Sequence, residues 1–158
     1  SSTNAGRASR FQSDAWPGVA AFGHHAQMSA FEEEIAYYLG RYRRGHADDA
    51  FHGLLELDHA ALPGLEAEFR TAREADARRF LLEVIWQHRQ QSVIPLLGEA
   101  LLDADHRVWR EALDGLIALG SSASVAALRT VRVQRDDEEF RRWVDEAIEQ
   151  AEEQAQRS

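Results

Sequence analysis

Three observations predict an all-α chain built as a short solenoid of helix pairs. Apolar residues recur at helical spacing along most of the 158 residues, the pattern of rods that each bury one stripe. Strand signals are missing, since no segment alternates apolar and polar residues for long and no hairpin turn joins two such segments. The third observation is self-similarity at one fixed spacing, that from Arg79 to Arg110, the mark of tandem repeats.

The repeat can be followed through three successive units. Moving 31 positions places Arg79 on Arg110, Leu82 on Leu113, Ile85 on Leu116, Trp86 on Ile117, Ile94 on Val125 and Leu97 on Leu128. A second step places Asp105 on Asp136, Trp109 on Phe140, Arg110 on Arg141, Leu113 on Val144 and Ile117 on Ile148. Backwards, Leu62-Pro63-Gly64-Leu65 stands 32 positions before Ile94-Pro95-Leu96-Leu97. Short apolar stretches align by chance, but one spacing kept over three units does not.

In chain order, residues 1–27 are rich in Ser, Gly and Ala and lack a helical period. They are expected to be a tail or an over-extended start, with a folded domain over 28–156. They do not resemble an intact signal peptide, having no basic start ahead of an apolar run. Ser29 and Glu32 form a capping box that predicts a helix opening just after Met28. Its stripe is Phe31, Ile35, Tyr38, Leu39 and Tyr42, and Gly45 breaks it. Helix pairs follow at about 47–57 with 60–73, 77–89 with 92–103, and 106–119 with 122–134. Second helices carry Ser or Pro in their opening turn, where a missing amide hydrogen does little harm. A last helix, 137 to about 155, opens with Asp136-Asp137-Glu138-Glu139, favourable for capping and for the helix dipole.

Charge narrows the function. All 18 basic residues are Arg, against 27 Asp and Glu, for a net charge of -9. Nucleic-acid binding needs a surplus of cations, so none is expected. The segment 105–135 alone runs to +2, while 28–75 and 136–158 are acidic. No Cys is present, which excludes disulfide scaffolds, thiolate zinc sites and cysteine nucleophiles. No unbroken apolar run is long enough for a bilayer span, and a cytoplasmic protein is expected.

The stretch Asp103-Ala104-Asp105-His106-Arg107-Val108-Trp109-Arg110-Glu111-Ala112-Leu113, followed by Leu116-Ile117-Ala118-Leu119-Gly120, resembles the HEAT-repeat family. It carries that family's Asp, Val-Arg, Ala, Leu-Gly pattern, with Arg107 and Val108 in reversed order and Arg110 standing in for the Arg. The resemblance covers about 47–150 and implies a right-handed, armadillo-like α-solenoid of about three helix pairs with flanking capping helices. It also implies a non-catalytic module for protein–protein interaction, of scaffold, adaptor or bacterial immunity type. The alternative it leaves open is an enzyme subunit such as a bilin lyase component. Alkylpurine DNA glycosylases share related folds but expect a basic groove.

Catalytic signatures are lacking: there is no Gly-x-Ser-x-Gly elbow, Walker loop or dinucleotide fingerprint. His52, Glu56 and His59 include one Glu-x-x-His, but a di-iron bundle needs two copies and two further Glu. A helix break near Asp58 would also take His59 off that face, and no His is followed by Glu. Neither metal nor cofactor is expected. Trp86, Trp109 and Trp143 are expected in the core, as fillers between stacked units.

The expected site is therefore a surface. In stacked pairs the second helices line up as a concave face, which would carry Glu66, Arg70, Arg73, Glu99, Arg129 and Arg132. The inter-helix turn, with His88, Arg89 and Gln91, is expected to rim it. Such a row orients a charged partner protein, and Arg clamps carboxylates. Self-association through the end helices is a further expectation.

Overall fold

The structure is a computed structural model that describes residues 23–157, with side chains from Phe31 onward. In chain order the helices are α1 (Gly23–Arg43), α2 (Ala47–Leu55), α3 (Leu62–Thr71), α4 (Ala75–Gln87), α5 (Ile94–Ala100), α6 (His106–Leu119), α7 (Ser122–Arg132) and α8 (Glu138–Arg157). Two 3-10 turns, η1 (His59–Ala61) and η2 (Gln91–Val93), lead into α3 and α5. No strand occurs among the described residues. These residues divide into two compact units, one ending at Ala50 and one starting at Phe51.

In the first unit, Ile35 and Leu39 are the buried members of the expected stripe of α1. The helix starts at Gly23, ahead of the capping box expected at Ser29 and Glu32. Ala26, Gln27 and Met28 are strong helix formers, and extending an existing helix costs far less than nucleating one. Residues 1–22 of the expected tail lie outside the described residues. Gly45, at φ 92°, ends the helix in the left-handed region, and its amide donates to the Tyr42 carbonyl at 3.0 Å.

In the second unit the helices repeat with the period seen in the sequence. Shifting α4 by one repeat lays it on α6, and shifting η2 with α5 lays them on 122–131 within α7. Shifting η2 and α5 back by 32 lays them on η1 and the start of α3, with Pro63 and Pro95 in the same first-turn position. The first helices α4, α6 and α8 pack in sequence, α5 packs on α7, and α8 closes the row against both α6 and α7. Equivalent side chains form the core: Leu82, Leu113 and Val144 in the first helices, and Leu65, Leu97 and Leu128 in the second, are all buried. A lone pair of this size would leave these faces in water, so each pair is stable only against its neighbour.

Capping follows the repeat with one slip. Asp105 caps α6, its carboxylate accepting from the Arg107 amide at 2.9 Å. Its counterpart in the next unit, Asp136, pairs with Arg141, while Asp137 takes the amides of Glu139 and Phe140. The Asp105 carboxyl is held down to about 2 by the Arg107 side chain and amide. Within the second pair, Asp103 grips Arg78 through two bonds of 2.9 and 3.1 Å, and Arg78 also donates to the carbonyl of Arg73 at 2.6 Å. That network ties the start of α4 to the segments after α3 and α5.

Trp86 and Trp109 are buried, as expected, and Trp86 donates from its indole to Glu111 at 2.8 Å. Trp143 is not: it is 38% exposed, with the Arg110 guanidinium 4.5 Å from its ring centre. Among the described residues no further helix pair covers that side of α8.

Two glycine positions show how closely the units approach. A Cβ on Gly115 of α6 would stand 2.8 Å from the Trp86 ring of α4. Gly120 ends α6 at φ 50°, and Arg89, its counterpart in the preceding unit, ends α4 at φ 60°. The left-handed step falls at the same repeat position, but in the earlier unit it follows the His88 cap of α4 and an Arg occupies it. Gly115→Ala is expected to lower the unfolding free energy by about 1–3 kcal/mol through overpacking, measured by urea denaturation. Arg89→Gly is expected to raise it by about 0.5 kcal/mol. Relief of the left-handed backbone, about 1 kcal/mol, exceeds the loss of an exposed contact with the Trp86 ring, roughly 0.5 kcal/mol.

Candidate functional site

The second helices α5 and α7 lie side by side with a shallow cavity of about 300 Å³ between them. Ile94, Pro95, Gly98, Glu99 and Leu102 form one wall, and Ala127, Thr130, Val131 and Gln134 the other. The trough stays open because the residues facing across it are small: a Cβ on Gly98 would only reach ordinary contact with Ala127, at 3.9 Å. The Thr130 hydroxyl donates to the Ala126 carbonyl at 2.9 Å, which turns it back onto its own helix. Leu102 remains 48% exposed at the end of the trough, and Val133 beyond α7 is exposed as well. Leu102 thus extends the apolar lining of the trough into solvent.

Three of the residues expected from sequence meet at one edge of this trough. Arg70 of α3 stands between Glu66, one turn before it at 3.7 Å, and Glu99 of α5 at 3.1 Å. Partial burial pushes the Glu66 carboxyl up, with Arg70 opposing and Glu99 adding to the rise. The hydrogen bond to Glu99 raises the Arg70 guanidinium further, so it stays charged. Glu99 belongs to both groups, lining the trough and holding Arg70.

The remaining expected residues are placed otherwise. Arg129 pairs with Glu152 and Arg132 with Asp145 at 2.5 Å, so both guanidinium groups turn toward α8 instead of toward Glu99. Arg73 is exposed beyond α3, Gln91 is exposed at the start of η2, and Arg89 is exposed with its guanidinium over the Trp86 ring. His88 is only 5% exposed, its ring held between His59 and the Leu54 carbonyl, behind the turn instead of on its rim. His59 opens η1, which Asp58 caps through the Ala60 amide, so the expected break does separate it from α2.

Sequence reasoning missed Leu102, Ala127, Thr130 and Gln134. Leu102 reads as one more member of an apolar stripe, and small residues such as Gly98 and Ala127 read as helix filler. Among the described residues no helix is long and apolar enough to cross a membrane.

Arg70 and Glu99 are exposed and Glu66 is half-buried, so the cluster contributes little to folding. Arg70→Ala is expected to change stability by less than ~1 kcal/mol. Asp103→Ala, which strips the half-buried Arg78 of its two-bond partner, is expected to cost about 2–3 kcal/mol. Urea unfolding of the two variants side by side measures the contrast.

A family model for HEAT repeats matches residues 62–149, 88 of the 158 residues. No curated protein and no solved structure matches the chain. The matched stretch runs from the start of α3 into α8, through the units that repeat in both sequence and structure. The chain belongs to the HEAT-repeat family.

Proposed function

We propose that this protein is a non-catalytic cytoplasmic module that holds another protein along the trough between α5 and α7. The observation that carries the reading is the open apolar groove ending in the exposed Leu102, with a charged cluster at its edge. HEAT repeats generally mediate protein–protein interaction, which agrees with it. An apolar segment of the partner fills the trough and covers Leu102. Glu66, Arg70 and Glu99 set its direction by offering both signs of charge within one short stretch. Arg73, Arg89 and Gln91 flank the contact. Arg129 and Arg132 contribute by exchanging Glu152 and Asp145 for the partner's carboxylates, and His88 supports the turn from behind.

A photo-crosslinking residue at Leu102, with a second at Asp114 on α6, tests this in the native host. The expected outcome is a discrete crosslinked protein from the Leu102 position and none from Asp114. In affinity capture of that same protein without crosslinking, Leu102→Asp should reduce its recovery at least tenfold while the helical circular dichroism is unchanged. Equal capture by Leu102→Asp, or crosslinks only from Asp114, would overturn the reading.

A further inference from the structure

We infer that His59 and His88 form an acid-opened latch between the first two helix pairs, closed by one hydrogen shared between their facing ring nitrogens while both rings are neutral. This inference is independent of the partner-binding reading.

The tautomers follow from the neighbours. His88 Nε2 lies 3.2 Å from the Leu54 carbonyl, which can only accept, so Nε2 carries the hydrogen. In a neutral His88, Nδ1 is then a lone pair. It faces His59 Nδ1 at 3.1 Å, so His59 must donate from that atom. His59 Nε2 is left as an acceptor, and the Gln90 amide nitrogen stands 3.3 Å from it. The same amide nitrogen donates to the His88 carbonyl at 3.2 Å, which uses both of its hydrogens. A directed chain therefore runs from Gln90 to His59 to His88 to Leu54, with every donor meeting an acceptor. The two rings cross at 75° with centres 5.3 Å apart.

The chain has room for no further proton without a loss. Protonating either ring leaves His59 Nε2 bearing a hydrogen that meets the Gln90 amide head-on. His59 is exposed, so this hydrogen turns toward water, and the link from Gln90 to His59 is broken. A second proton sets two N–H groups against each other across 3.1 Å. His88 would also carry its charge in a site only 5% exposed. Burial pushes the His88 imidazole below its ordinary value; the Leu54 carbonyl and the Asp58 carboxylate oppose the fall, and His59 adds to it. Asp58 is itself occupied by the Ala60 amide, and the Arg89 guanidinium is turned onto the Trp86 ring. The groups joined are the end of α2, the start of η1 and the turn between α4 and η2, so opening the latch loosens that end of the contact while α3 still packs on α4.

The sign is that of a depressed group. The stabilisation is complete above about pH 6.5, the ordinary imidazole value, and is lost as pH falls through the folded-state value. Long-range proton–nitrogen correlation spectra of the full chain at pH 8 are expected to show His59 as the Nδ1–H tautomer and His88 as the Nε2–H tautomer. Between pH 8 and 5 the Tm is expected to fall by about 3–6 °C through this pair. His88→Gln keeps a donor for Leu54 but cannot titrate, and should lose that part of the fall. His52→Gln, at an exposed histidine, should keep it. An Nδ1–H tautomer at His88, titration of His88 at or above the ordinary value, or equal pH slopes in wild type and His88→Gln would overturn the proposal. The spectra are read on the unaltered chain, so they decide even where His88→Gln fails to fold.

Discussion

The second unit rests on one constraint: each helix pair has an apolar face that only the next pair can cover. Leu82, Leu113 and Val144 occupy the same place in α4, α6 and α8, and all are buried. Hydrophobic burial of a Leu- or Val-sized side chain contributes about 1.5–3 kcal/mol, so a few such columns outweigh anything on the surface. The close approach of Gly115 to Trp86 sets how deeply α4 and α6 sink together. The stacking also explains why the end of the row differs from its middle. Trp143 is 38% exposed with the Arg110 guanidinium over its ring, whereas Trp109 is closed in and meets Phe140 edge-on at 5.1 Å.

Ion pairs follow this stacking and do not create it. Asp76 with Arg107, Arg79 with Glu111, and Arg110 with Glu139 bridge successive first helices. Most of these groups are solvated, and such pairs contribute roughly 0–1 kcal/mol each. Their value is in register, since a helix slipped by one turn would meet the wrong sign. Arg78 with Asp103 is the exception: both are mostly buried, and Arg78 also holds the backbone after α3. An all-Arg complement of cations suits these roles, because a planar guanidinium can serve a carboxylate and a carbonyl or an aromatic ring at once. Arg135 does so, donating to the carbonyls of Leu101 and Asp103 while lying 4.3 Å from the Phe140 ring centre.

The trough between α5 and α7 and the histidine pair both arise at contacts between repeats, yet they differ in kind. The trough is a place where the second helices leave apolar surface uncovered because Gly98 and Ala127 are small. The histidine pair is a place where polar groups replace apolar packing, and the buried His88 ring must find a partner for each of its nitrogens. A buried imidazole without a partner would cost far more than its hydrogen bonds return. That requirement is why Leu54 belongs to the pair as much as the two rings do.

The helix pairs were legible before any coordinates, because the repeat shows itself as recurring Leu, Ile and Arg at fixed offsets. The caps and breaks of α6 and α7 were legible too, since Asp105, Ser121 and Gly120 act within a few residues of themselves, whereas the capping box at Ser29 does not mark where α1 begins. The gathering of Glu66, Arg70 and Glu99 was read only as far as a shared face. That Arg129 and Arg132 turn to α8, that Leu102 stays in water and that His88 meets His59 depended on which side chains from different helices arrive together. Local spacing along a chain determines which stripe of a helix is apolar. Only stacking, through the crossing of one helix on the next, decides what each remaining side chain faces.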